Sequence, residues 1–131
     1  MKTNERIALD TSAVILYFRG QPAACDFLSQ AWEIYLPLIV VGELYLGLER
    51  SEQKTKRAHE LDELLALANV LYPNLQTAWL YARIKMELLE RGKPIPDNDI
   101  WIAAMAQQAE LPLAARDEHF DFIESLDVVP L

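Results

Sequence analysis

Short apolar runs alternate along this chain with stretches where apolar residues return every three or four positions. Ile7-Ala8-Leu9, ending in Asp10, is too short for a helix and has the unbroken hydrophobicity of a strand covered on both faces. Thr11 or Ser12 can cap the run Ala13-Val14-Ile15-Leu16-Tyr17-Phe18, which leads into Gly20. Pro22 opens a helix over 23–31. Glu33-Ile34-Tyr35-Leu36, closed by Pro37, is a second strand, and a long helix follows over 38–51. After a polar turn at 52–56, Ala58, Leu61, Leu64, Leu65 and Ala68 keep the spacing of a buried helical face. Val70-Leu71-Tyr72 is a third strand before Pro73. A helix over 77–91 carries Trp79, Ala82, Met86 and Leu89 on its apolar side, and Gly92 stops it. Pro94 and Pro96 delay the next helix to 98–109. Residues 111–115 form a strand, 118–126 a short helical stretch, and Val128-Val129 a last strand.

Strands that alternate with helices throughout predict an α/β layer fold with a mostly parallel sheet. The length suits one domain, 1–131, with no linker and enough chain for a core without disulfides. Cys25 stands alone, so no internal disulfide forms. No apolar run reaches the length of a membrane span, and residues 1–10 lack the features of a secretory signal. These features point to the cytoplasm. The net charge of −8 argues against a chain that binds nucleic acid through bulk charge. Asp10, Glu43, Asp97, Asp99 and Asp117 supply more than half of that excess, however. Cations bound among them would dominate the local potential.

These acids follow the predicted architecture. Asp10 ends the first strand and Asp117 follows a later one, so both fall at one edge of a parallel sheet, where open α/β sheets bind ligands. Glu43 lies about one turn into its helix, within ~7–8 Å of that edge. Asp99, Ile102, Ala103 and Ala106 share one helical face, and the small apolar residues below Asp99 turn it toward the sheet edge. Two residues rotate a helix by about 200°, so Asp97 and Asp99 cannot both face the site from within it. Asp97 is placed to cap the helix, and Asp99 to bind a cation. Converging carboxylates repel unless protonated or bridged by cations, and hard oxygen donors select Mg²⁺ or Mn²⁺.

Asp10-Thr11-Ser12-Ala13-Val14-Ile15 resembles the opening motif of the PIN-domain nucleases. Gly42-Glu43-Leu44, with Gly47 and Ser51, resembles the second motif of their VapC-type toxins. Residues 94–104, Pro-Ile-Pro-Asp-Asn-Asp-Ile-Trp-Ile-Ala-Ala, resemble the third, and Arg116-Asp117-Glu118-His119-Phe120 the fourth. The resemblance covers about residues 7–123. It implies a Rossmann-like α/β/α sandwich with a central, mostly parallel sheet, and Mg²⁺- or Mn²⁺-dependent endoribonuclease activity on transfer or ribosomal RNA. It also implies a homodimer and a cognate antitoxin that inhibits the enzyme. By position, Asp10, Glu43, Asp99 and Asp117 are then the catalytic and metal-binding acids, and Ser12 supports the metal site. Thr11, Asp97 and Arg116 flank these acids. Ala115 departs from the family, which often has Thr there.

Simpler roles compete. Asp10 and Asp117 can serve only as caps, and Arg116 can pair with Asp117 or touch the RNA backbone. Lys93 and Arg91 can meet phosphate but read more simply as solvated cations. His59 and His119 lack ligand spacing and read as surface or packing residues. A PIN-like fold can also act as a catalytically silent interaction module. An aspartyl phosphotransferase would need a second Asp where this chain has Ser12. Surplus apolar residues near 52–67 and 75–91, remote from the acids, predict a dimer interface.

Overall fold

The computed structural model describes residues 5–131; residues 1–4, the start of the segment inspected for a leader, lie outside the described residues. In chain order, β1 (Arg6–Leu9) leads into α1 (Thr11–Phe18) and α2 (Pro22–Gln30). β2 (Glu33–Pro37) leads into α3 (Leu38–Arg50) and α4 (Lys54–Leu67), and β3 (Asn69–Leu71) into α5 (Leu75–Glu90) and α6 (Asp97–Gln108). β4 (Leu113–Ala115) is followed by a 3-10 turn (Glu118–Phe122) and β5 (Val128–Pro130). The sheet order is β3-β2-β1-β4-β5, and every neighbouring pair is parallel.

Ile7, Ala8 and Leu9 are all inaccessible to solvent. Successive strand residues face opposite ways, so helices must cover both faces of the sheet. The chain winds outward from β1 to β2 and β3, then returns to the other side of β1 to lay down β4 and β5. The order therefore reverses between β1 and β4, at the topological switch point where α/β folds open a crevice beyond the strand ends. α6 packs on β2 and α3 through Ile102, Ala103 and Ala106, all fully buried. Ala103 and Ala106 add little bulk to that contact face. Among the described residues, no helix is long and apolar enough to cross a membrane.

α4, β3 and the 3-10 turn shift in their limits from the periodicity reading, and α5 and α6 differ in ways that bear on the site. α5 begins at Leu75, because the Asn74 side chain accepts from Gln76 N and Thr77 N and Thr77 closes the capping box. Its buried face is Thr77, Ile84 and Leu88, whereas Trp79, Met86 and Leu89 are 58%, 56% and 52% exposed. Polar and aromatic groups dock the buried face: Thr77 Oγ1 bonds Gln108, and Tyr81 stacks on Trp101 with centroids 4.1 Å apart. The apolar stripe picked out by spacing is thus more than half exposed. α6 begins at Asp97 itself, and Pro96 occupies the cap position without a side-chain bond. Asp97 is therefore not the cap expected of it.

Candidate active site

Asp10 is the first residue beyond β1, 3% exposed, and its carboxylate caps α1. Asp10 Oδ2 accepts from Ser12 N at 3.3 Å and from Ser12 Oγ at 2.5 Å. The same Ser12 hydroxyl accepts from Arg116 N at 3.0 Å and Asp117 N at 3.4 Å. Ser12 thereby clasps the end of β1 to the loop leaving β4. Thr11 turns the other way and donates to Glu43 Oε1 on α3 at 2.6 Å. Consecutive residues at one helix start thus connect three of the predicted acids.

Asp99 enters from the first turn of α6, its side chain 13% exposed. His119 Nδ1 lies 3.0 Å from Asp99 Oδ2 and 3.1 Å from Asp117 Oδ1. Candidate ligand atoms of Asp99, Asp117 and His119 all fall within 4.8 Å of one another. Asp117 also caps the 3-10 turn, accepting from His119 N at 3.0 Å. Capping and facing the cluster are compatible here, because the Asx-type turn folds residue 119 back over the carboxylate.

The electrostatics fit a site that wants positive charge. Burial raises the Asp99 carboxyl to about 6; the contact with His119 opposes the shift, while the charges of Asp10 and Asp117 reinforce it. Burial also raises Asp10, against the lowering effect of the Ser12 and Thr11 bonds, and Glu43 adds to the rise. Among the described residues, none of Asp10, Glu43, Asp99 and Asp117 is paired with Lys or Arg. Hard oxygen donors not tied up by Lys or Arg are the donor set of Mg²⁺ and Mn²⁺ sites. The residues present therefore fit a divalent cation.

The expected acids do not all occupy equivalent places. Asp99 and Asp117 meet directly; Asp10 lies close enough for its charge to raise Asp99. Glu43 stands at the margin, tied to Thr11 and lining a cavity of about 290 Å³ with Ile15, Phe18, Arg57 and Leu61. Asp97 is turned away from the cluster. It accepts from Lys85 Nζ at 2.8 Å and Tyr81 OH at 2.9 Å on α5, and Lys85 holds it below the usual carboxylate range. Arg116 contributes its backbone N–H to Ser12, and Asp117 pairs with His119 rather than with Arg116. Arg91 donates to Phe122 O at 2.6 Å and Lys93 sits over the Phe122 ring, so both brace the 3-10 turn. The structure sets His119, expected from its spacing to be a surface or packing residue, against both carboxylates. Its signal is an Asp two residues upstream in a capping turn. The position where a phosphotransferase needs its second acid holds Ser12, already committed to Asp10.

Comparison with known proteins adds to this geometry. The PIN domain family model matches residues 7–125. Ribonuclease VapC2 of Haemophilus influenzae is 32% identical over 111 residues, which cover 83% of this chain and 84% of the relative. Ribonuclease VapC5 of Mycobacterium tuberculosis is 31% identical over 85 residues, 63% of each chain. Among solved structures, FitAcB from Neisseria gonorrhoeae superposes with a TM-score of 0.83 at 32% identity, covering 93% of this chain and 95% of that one. VapBC-1 from nontypeable Haemophilus influenzae gives 0.85 at 27% identity, over 95% and 97%.

Proposed function

Since the chain belongs to the PIN-domain family, alongside the VapC ribonucleases, we propose that it is a divalent-metal-dependent endoribonuclease, the toxin of a toxin–antitoxin pair. The observation that carries this reading is the meeting of Asp99 and Asp117 beside Asp10 at the switch point, with none of the three paired to a Lys or Arg among the described residues. Asp10, Asp99 and Asp117 would hold Mg²⁺ or Mn²⁺, with Glu43 at the margin of the site. When bound, such an ion supplies a Lewis acid that activates water and offsets phosphodiester charge.

The chain's own residues do the positioning. Ser12 fixes the Asp10 carboxylate and, through two backbone N–H groups, the loop bearing Asp117. Thr11 holds one Glu43 oxygen. The buried face of α6 sets the direction of Asp99. The Ser12 and Thr11 hydroxyls are engaged with Asp10, Glu43 and the backbone of the loop after β4, so the attacking group in this reading is water. With RNA of the transfer or ribosomal class as substrate, the enzyme works in the cytoplasm. The cognate antitoxin is a protein, a reading supported by relatives solved as VapBC complexes. The cavity between α1, α3 and α4, opening beside Glu43, is a suitable seat for an antitoxin segment. The uncovered α5 stripe supports a homodimer.

The test is cleavage of RNA in Mg²⁺ by Asp10→Asn and Asp99→Asn. Both variants are expected to keep the circular dichroism of the wild type and to lose cleavage and growth arrest. Full activity in both, or wild-type cleavage that persists in EDTA, overturns the reading.

A further inference from the structure

The geometry points to His119 as a direct metal ligand that gives this site a preference for Mn²⁺ over Mg²⁺. The inference rests on the nuclease reading and refines it. In a six-coordinate shell with bonds of ~2.1 Å, adjacent donors lie about 3.0 Å apart. His119 Nδ1 stands 3.0 Å from Asp99 Oδ2 and 3.1 Å from Asp117 Oδ1. Two of the three edges of one face of such a shell are thus present, and the third pair, Asp99 with Asp117, lies within 4.8 Å. Nδ1 is the ring nitrogen turned to the carboxylates, and with the ring proton on Nε2 its lone pair is available to an ion held between them. The backbone enforces the arrangement: His119 N donates to the Asp117 carboxylate, and Phe120, fully buried, anchors the next residue. The ring itself is 43% exposed, so it is not held there by core packing.

Imidazole nitrogen binds first-row transition ions well and Mg²⁺ poorly, whereas carboxylate oxygen serves both. Replacing one oxygen donor by nitrogen therefore shifts selectivity without abolishing Mg²⁺ binding.

The experiment loads the untagged full chain with Mn²⁺ alone and measures binding by calorimetry and nitrogen hyperfine coupling by pulsed electron paramagnetic resonance. The chain has two histidines, and His59 is 75% exposed on α4, paired with Glu63. Coupling from a bound imidazole is expected in the wild type and in His59→Ala, and is expected to vanish in His119→Ala. Mn²⁺ affinity should fall about tenfold in His119→Ala, with Mg²⁺ affinity held within about twofold. His119→Asn, which keeps a hydrogen-bond donor but no imidazole, should behave as His119→Ala does. Saturable Mn²⁺ binding without nitrogen coupling, or full rescue by His119→Asn, overturns the ligand role and leaves the nuclease reading standing. Absence of any saturable Mn²⁺ binding overturns both.

Discussion

At the scale of single residues, the site is a balance between burial and charge. Asp99 titrates near 6 because burial and neighbouring carboxylates disfavour its anion. A carboxyl raised on folding binds more protons in the native state, so native stability falls as pH rises between its unfolded and folded values. For Asp99 that window runs from about 4 to about 6. In metal-free protein, Asp99→Asn removes the penalty. The variant is expected to be more stable than wild type by about 1–2 kcal/mol at pH 7, after allowance for solvent screening. The difference should open between pH 4 and 6 and stay flat above, as read by urea unfolding at each pH. The same variant loses saturable Mn²⁺ binding. Ser12 is the opposite case, a small residue whose hydroxyl serves Asp10 and two backbone groups together. Ser12→Ala leaves those backbone donors short of a partner. It is expected to cost about 1–3 kcal/mol in unfolding free energy and about tenfold in metal affinity by calorimetry.

Between elements, the α5–α6 packing decides which acids are available. Asp97 and Asp99 lie two residues apart, but Lys85 and Tyr81 capture the first while the second points to the sheet edge. Asp97→Asn should therefore leave Mn²⁺ affinity unchanged and lower the melting temperature slightly, by loosening α6 from α5. A tenfold loss of affinity would move Asp97 into the site. The two faces of α5 separate in the same way. Ile84, 3% exposed, is core, and Ile84→Ala is expected to destabilise by about 2–4 kcal/mol in urea. Met86 belongs to the uncovered stripe, so Met86→Lys should leave monomer stability intact and shift sedimentation from dimer to monomer. Periodicity located α5 but chose the wrong face, since an apolar stripe marks burial without saying against what. The true inner face is Thr77, Ile84 and Leu88, and it is docked by contacts of Thr77 and Tyr81 with Gln108 and Trp101 far along the chain.

For the whole molecule, the switch point between β1 and β4 explains why the placement of much of the candidate site is legible in the sequence. Asp10 and Asp117 are tied to strand ends, and strand ends are legible from short apolar runs such as Ile7-Ala8-Leu9. Asp99 was legible from the small apolar face beneath it. His119 was not, because its position comes from a capping turn that only coordinates display. The α/β order and parallel sheet followed from alternation alone, whereas element limits moved by a few residues wherever a cap such as Asn74 set the start. The β1–β4 pairing has a temporal consequence too. Ala8 lies beside Leu113 and Leu9 beside Ala114, contacts that span most of the polypeptide. Pairings this distant in sequence form late. A ribosome making this chain therefore exposes Asp10 long before the segment carrying Asp117 and His119 emerges. The carboxylate cluster cannot assemble until synthesis is nearly over.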